Sequence, residues 1–402
     1  VPSPEEGYSN FADFFAKDLE KVLGNIGVKA DYLSSWDMYH AGKFDKVIKI
    51  ALDNADKIQD IYQKVSGSKK KEIGWLPFQV ICEGCGKLGT TRVFKWDGEK
   101  VSYKCELALV KWATGCGYGG KISPYGGTGK LPWKVDWPAH WVVLGVTIEG
   151  EGKDHASAGG SRDIARELCK QVFNYPEPYN LPYEFLLIGG KKMSSSKGLG
   201  FKARNLTDLL SAEAGRFLFA RTDYKQQTNF DPMGTMAIPD LFDEYDRCFE
   251  AYVSGGSEDL ARIFEMSQLD KLSPKEKIFL PRFRDVANYI QLGANLEKTF
   301  EEVKGSTLNN FEKTILEERK KYAKIWLENY APAEFKQSMA EALPEEARDL
   351  NEDQKHFLKK ATEIVEKENN PEKLQTALYD LTKKLEINSK EAFSAIYLVM
   401  TG

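Results

Sequence analysis

Lys191-Lys192-Met193-Ser194-Ser195-Ser196-Lys197-Gly198 sets three hydroxyls between lysines and closes the run with glycine. Ammonium and hydroxyl groups on a glycine-flanked loop suit a polyphosphate, because they donate charge-assisted hydrogen bonds and neutralise charge as it develops. A generic Lys/Ser cluster is more often a solvated turn, so its surroundings decide. The run follows Phe185-Leu186-Leu187-Ile188, which has the length of a buried parallel strand ended by Gly189-Gly190. The lysines and serines are therefore expected on a loop at a strand's carboxyl end, where open α/β sheets bind ligands.

A second constellation lies upstream. Val142 to Ile148 reads as a buried strand leading into the small-residue stretch from Gly150 to Ser161, which carries Gly152, Asp154 and His155. Small residues let a ligand approach the backbone, and Asp154 is an acceptor suited to ribose hydroxyls. Ser161 is placed to cap a helix running through Val172. Trp133, Trp137 and Trp141 crowd the segment before the strand, and a core wall is the expected role of Trp137 and Trp141. Gly126-Gly127-Thr128-Gly129-Lys130 invites a phosphate-loop reading but fails it. Pro124 stands where the first glycine is needed, and Leu131 replaces the Ser/Thr that would meet magnesium.

Cys82-Glu83-Gly84-Cys85 is a tight knuckle, followed by two strand patterns either side of the hairpin signal Asp97-Gly98. Cys105 ends the second pattern, and Cys116 follows after ten intervening residues. Cys82, Cys85, Cys105 and Cys116 are expected to hold a structural zinc rather than remain free thiols, although ribbons usually space the second pair by about two residues. Cys169 and Cys248 read as small core residues.

The 402 residues suffice for two or three domains, and 42% hydrophobic with 29% charged residues describes a soluble globular chain. No apolar run approaches the ~20 residues that span a bilayer, and no signal peptide opens the chain. A net charge of -4 means that any nucleic acid must meet local patches rather than a global field. Helical spacing covers Tyr8 to Asn25 and Phe44 to Ile61. From Leu206 onward nearly every pattern is helical: Leu206–Arg221, Asp240–Val253, Pro281–Leu296, Phe311–Asn329, Glu352–Glu368, Pro371–Leu385 and Lys390–Met400. His40 is assigned no role.

Taken in order, these stretches resemble one family. Lys192 to Gly198 is similar to the Lys-Met-Ser-Lys-Ser signature of class I aminoacyl-tRNA synthetases. Lys134-Val135-Asp136-Trp137-Pro138, Gly152-Lys153-Asp154-His155, Gly159-Gly160-Ser161, Tyr183-Glu184-Phe185 and Asp243-Glu244-Tyr245-Asp246 resemble class I lysyl-tRNA synthetases in particular. The resemblance implies an α/β Rossmann-type catalytic domain, partial here, with a small zinc-binding β insertion, then an all-α anticodon-binding domain. Its boundaries would be 1–75 for the first half of the catalytic domain, 76–125 for the insertion, 126–225 for the second half and 226–402 for the helices.

The implied reaction is ATP-dependent activation of L-lysine, with magnesium, and transfer to the terminal adenosine of tRNA(Lys) by a cytoplasmic monomer with no membrane association. By the same resemblance Lys192, Ser194, Ser195, Ser196 and Lys197 act on the pyrophosphate. Gly152, Asp154, His155 and Met193 meet ATP. Trp133, His155 and Tyr183 line the lysine pocket, with Asp136 and Glu184 as charge partners. Two departures stand out. The signature's second lysine falls at Ser195, and the His-Ile-Gly-His element of class I enzymes is absent from the chain. The chain therefore reads as an N-terminally truncated copy, short also at its C-terminus and inactive alone. The alternatives are a glutamyl-type class I synthetase and a non-catalytic tRNA-binding remnant.

Overall fold

Asn10 starts the first helix, α1 (Phe11–Asn25), by accepting the Asp13 amide on its side chain at 3.0 Å. In the computed structural model, which describes residues 2–68, 74–193, 200, 202–269, 277–336, 340, 342–368 and 370–401, the chain divides into two units. One comprises Val1–Phe201 with Thr222–Phe230, the other Lys202–Arg221 with Asp231–Gly402. No helix among the described residues is long and apolar enough to cross a membrane.

In the first unit α2 (Ser35–His40) is followed by two helices where one stretch was expected, α3 (Asp45–Asp53) and α4 (Ala55–Ser66). The break falls at Asn54, whose side chain donates to the Ile50 carbonyl at 2.8 Å and so competes with the helical ladder. The cysteine module comes next: β1 (Gln79–Val80), β2 (Thr91–Trp96), β3 (Val101–Cys105), β4 (Gly119–Ile122) and β5 (Gly129–Lys130). The hairpin between β2 and β3 turns where expected. Asp97 Oδ1 accepts the Glu99 and Lys100 amides, and Gly98 takes a φ of 99° that suits glycine. Strands β2, β3 and β4 form one antiparallel sheet, while β1 pairs with β5 at Gln79–Lys130 and Val80–Gly129, bringing the module's two ends together. The glycine-rich segment is thus a connector, as expected.

Residues 133–148 depart from expectation. The three tryptophans and Val142-Val143-Leu144 form a helix, α5 (Trp133–Leu144), closed by Gly145 at a φ of 68°. It is apolar nearly all round because Val135 and Ala139 enter one core cluster while Trp141 belongs to another. A helix buried on two sides and a buried strand have the same composition, so the apolar run misleads. The strand lies further on, at β6 (Ile148–Gly152). Then follow α6 (Ser161–Leu168), a π turn at Cys169–Phe173, and β7 (Tyr179–Tyr183), parallel to β6 from Ile148–Tyr179 to Gly152–Tyr183. The residue capping α6 is Gly160 rather than Ser161, which is already helical. Strand β8 (Leu186–Ile188) turns back through β9 (Lys191–Lys192) and lies parallel to β10 (Thr228–Asn229). It is parallel as expected, but half-buried rather than buried, and Lys191 and Lys192 belong to its hairpin.

One core joins these parts. Phe44, Ile48 and Ile58 from the helices pack in the same cluster as Val80, Val93, Val101 and Tyr103 of the module, and with Leu131, Val135 and Ile164 beyond it.

The second unit, among its described residues, is helical: α7 (Ala203–Leu209), α8 (Ala212–Ala220), α9 (Ala237–Ser254), α10 (Glu258–Ser267), α11 (Phe283–Gln291), α12 (Leu296–Lys304), α13 (Asn310–Asn329), α14 (Glu352–Val365), α15 (Pro371–Lys384) and α16 (Ser389–Thr401). The single helix expected over Leu206–Arg221 is split by Ser211, which caps α8 by accepting the Ala214 amide. That expected over Pro281–Leu296 ends at Gln291, and Asn295 caps α12 anew. Helices α10 and α12 were not anticipated. The motif Asp243-Glu244-Tyr245-Asp246 on α9 is a hub. Asp243 meets Arg282 and Arg284 at 2.7 Å, Glu244 meets Arg221, and Asp246 accepts from Arg319 of α13 at 2.8 Å.

Arg319 is 3% exposed and also donates to the Pro281 carbonyl, so truncating it strands a shielded carboxylate. Arg319→Ala should cost about 3 kcal/mol in urea unfolding followed by helical circular dichroism, with Arg319→Lys recovering part. A loss below about 1 kcal/mol would deny the hub its role.

Candidate active site

The parallel pair β6–β7 sets the geometry. Its ladder continues one step further, the Lys153 amide donating to the Tyr183 carbonyl at 3.0 Å, which fixes where the chain leaves both strands. A Cβ at Gly152 would lie 2.8 Å from Asp154 Oδ1, so a larger residue there would displace the Asp154 side chain. The turn beyond is closed by its own amides: His155 to Gly152 O, Ala156 to Lys153 O, and Arg162 to His155 O. At Gly160 a Cβ would meet the Ser157 and His155 carbonyls within 2.7 Å. This glycine therefore serves close packing of the loop on itself rather than approach of a ligand.

Trp133, Trp137 and Trp141 stand at i, i+4 and i+8 on α5 and so share a face. Trp133 and Trp137 stack at 5.4 Å and 8°, and Trp141 meets Trp137 edge-on at 5.1 Å. Exposure runs from 1% at Trp141 to 53% at Trp133. Trp141 is thus the core wall expected, whereas Trp137 is only half-buried and donates its indole N–H to Glu149 at 2.9 Å. His155 sits 6.0 Å from the Trp133 ring and 5.6 Å from Trp137, so two of the expected pocket residues come together. Tyr183 lies at the end of β7 with its ring beside Gly150, half exposed. No ring contact joins it to Trp133 or His155 among the described residues.

Three strand ends converge on Phe185. Lys192 Nζ lies 3.8 Å from its ring centroid and Lys153 Nζ 5.3 Å. Each ammonium also holds a carboxylate: Lys192 meets Asp154 at 3.2 Å, and Lys153 meets Glu184 at 2.7 Å. Hydrogen bonding from Lys192 keeps the Asp154 carboxyl below the usual range, and Lys153 does the same for Glu184. The expected phosphate lysine and the expected ribose acceptor are therefore in contact. Met193 follows directly on the hairpin. Ser194, Ser195, Ser196 and Lys197 lie outside the described residues.

Asp136 does not face this cluster. It is 8% exposed and accepts the Tyr39 hydroxyl at 2.5 Å, with Lys130 at 3.5 Å and His140 at 3.6 Å. Burial, together with that carboxylate, pushes the Tyr39 hydroxyl well above its ordinary range. The Leu131 amide donates to the same hydroxyl at 3.2 Å. Asp136 thus anchors the module's exit and α5 to α2, while Glu184 is taken up by Lys153. Sequence reasoning also missed Arg162. It is 2% exposed and bonds Glu177 and the Pro178 carbonyl, with its guanidinium over Trp141 at 4.6 Å. It lies 3.7 Å from Glu151, whose carboxyl burial pushes up. No short-range pattern marks such a pair.

The four cysteines named from the sequence meet, their sulfurs all within 4.8 Å of one another. Cys82 and Cys116 are 3.6 Å apart, Cys85 and Cys105 3.7 Å. The long interval before Cys116 folds away as a loop bridged at Val110 and Ala113, and Gly115 lets the chain return, since a Cβ there would meet Glu106 O at 2.2 Å. Burial pushes the Cys105 thiol up. Hydrogen bonds from Thr90, the Cys116 amide and the neighbouring thiols outweigh it and bring it down to about 6.

The family described as tRNA synthetases class I (K) matches residues 1–270. The chain belongs to that family. Among curated relatives, the lysine–tRNA ligase of Archaeoglobus fulgidus is 32% identical over 100% of this chain and 77% of its own length. That of Methanocaldococcus jannaschii is 34% identical over 100% of this chain and 78% of its own. A solved glutamate tRNA ligase from Elizabethkingia meningosepticum is 10% identical over 94% of this chain and 81% of its own, at a TM-score of 0.36, too low to bear on the argument.

In this class I chain Tyr39 should matter through structure alone. Tyr39→Phe removes the nearest donor to a buried carboxylate and should cost about 1–3 kcal/mol in urea unfolding. An unchanged midpoint would mean that Lys130 and His140 suffice.

Proposed function

We propose that this class I synthetase is a lysine–tRNA ligase. The observation that carries the reading is similarity over the whole chain to ligases of that name in two archaea. Neither relative favours the glutamyl-type alternative. The enzyme uses ATP and magnesium. In the first step a carboxylate oxygen of L-lysine attacks the α-phosphorus of ATP, and the bond to the β-phosphate breaks to release pyrophosphate. In the second the 2′-hydroxyl of the terminal adenosine attacks the lysyl carbonyl carbon, and AMP leaves. No covalent enzyme intermediate is needed, so catalysis rests on positioning and on stabilising phosphate charge.

On this reading the β6–β7 end is the second half of a Rossmann-type domain. Gly152 and Asp154 hold the ATP ribose, with His155 and Met193 beside the nucleotide. Lys192, with Ser194, Ser195, Ser196 and Lys197, receives the pyrophosphate. The contact between Lys192 and Asp154 supports this, since it brings the two sequence stretches to one place. Trp133 and His155, with Tyr183, line the lysine pocket, where an aromatic face can meet an ammonium group. Magnesium, when bound, supplies further positive charge to the phosphates. The helical unit holds the anticodon.

Cys82, Cys85, Cys105 and Cys116 hold zinc in a structural role. A tetrahedral centre with Zn–S bonds of about 2.3 Å spaces its sulfurs by about 3.8 Å, and the pairs here lie at 3.6 and 3.7 Å. Charging of total tRNA with each amino acid should detect lysine and no other. Lys192→Ala should slow it by ~100-fold or more. Charging with glutamate would overturn the assignment. Metal analysis should find one zinc per chain, and Cys82→Ser should abolish it and lower the urea midpoint. A metal-free wild-type chain of unchanged stability would refute the zinc site.

A further inference from the structure

Between α4, the cysteine module and the start of α5 lies a cavity of about 1000 Å³. Its walls include Tyr62, Trp75, Phe94 and Trp133, with Gln59, Arg92 and Lys134 among the polar members. Of the residues singled out in the sequence, Trp133 and Lys134 border it. Two features mark it as more than a packing defect. Gln59 is 8% exposed, yet its Oε1 has no hydrogen-bond partner among the described residues. A buried amide oxygen left without a donor destabilises the fold, so an occupant that supplies one would relieve that cost. Phe94, by contrast, is a large ring left 53% exposed on a strand whose neighbour Val93 is fully packed.

The chemistry of the lining narrows the occupant. Aromatic walls suit a flat π system, the unpartnered Gln59 acceptor asks for an N–H donor, and Lys134 Nζ, 5.9 Å from the Tyr62 ring, supplies positive charge at the same wall. An aliphatic chain would meet the walls but leave Gln59 unsatisfied, whereas a base with an exocyclic amine answers all three. Trp133 is common to this cavity and to the ring cluster around His155. An occupant is therefore held beside the place where the lysyl carbonyl is expected to react.

We propose that the cavity holds an unstacked nucleobase with an exocyclic amine, from the single-stranded 3′ end of the tRNA. Gln59 Oε1 accepts from the amine, the base lies against Phe94 and Trp75, and Lys134 faces the adjoining phosphate. The inference rests on the tRNA-ligase reading. It adds a site on α4 and the cysteine module that positions the end of the tRNA and shares Trp133 with the pocket for the amino acid.

The test compares binding of a lysine tRNA transcript with an intact 3′ end and of the same transcript lacking its single-stranded end. Wild-type chain, Phe94→Ala and Gln59→Leu are used, with circular dichroism to verify that each variant folds. Wild type should prefer the intact transcript by about tenfold. Both variants should reduce that preference to less than about twofold while binding the trimmed transcript like wild type. Equal binding of both transcripts by wild type overturns the proposal. So does a variant that weakens both transcripts alike. If adenosine monophosphate binds in a Phe94-dependent way while the transcripts are not distinguished, the occupant is a free nucleotide and the tRNA assignment falls. If neither transcript binds at all, the ligase reading itself fails.

Discussion

The pairing of β1 with β5 is the constraint on which the first unit depends. The cysteine module leaves and re-enters the helical body through these two short strands, and their contact needs a residue without a side chain. A Cβ on Gly129 would lie 2.2 Å from the Gln79 carbonyl. From that pair the chain passes at once to Leu131, whose amide bonds Tyr39, and then to Pro132, which opens α5. The place of Trp133 at the head of α5 therefore follows from how the module closes.

Charge is arranged differently in the two units. Beside Phe185 the Lys192–Asp154 pair is open to solvent, and exposed pairs contribute little to stability. In the helical unit Arg319 is almost wholly enclosed and bonds Asp246 together with the Pro281 carbonyl. That arrangement resists change. The same kinds of residue thus make a loose pair in one place and a rigid one in the other, and burial separates the two.

Legibility in the sequence followed the range of the interactions. Helix α1, with its Asn10 cap, and the Asp97-Gly98 hairpin depend on neighbours within a few residues and could be read directly. The cysteines could be named because thiols are few and their chemistry is narrow, although the interval before Cys116 fitted no ribbon spacing. Helix α5 was misread because burial on two sides erases the periodicity that distinguishes helix from strand. The engagement of Asp136 by Tyr39 could not be read because the two lie 97 residues apart. Arg162 escaped notice for a related reason: its partners are set by the parallel crossover from β6 to β7, not by local spacing.

Because Val80, Val93, Val101 and Tyr103 share one apolar cluster with Phe44, Ile48 and Ile58, the cysteine module is not a detachable ornament. Its strands cover the face that α3 and α4 would otherwise show to water, and those helices in turn supply the floor that so small a sheet lacks. The two should melt as one cooperative body rather than in sequence. Formation has an order built in as well. The Tyr39–Asp136 contact closes a loop of nearly a hundred residues, and the entropy lost in such closure falls once the intervening strands have already drawn their ends together. The module acts as the short-range step that makes a long-range contact attainable.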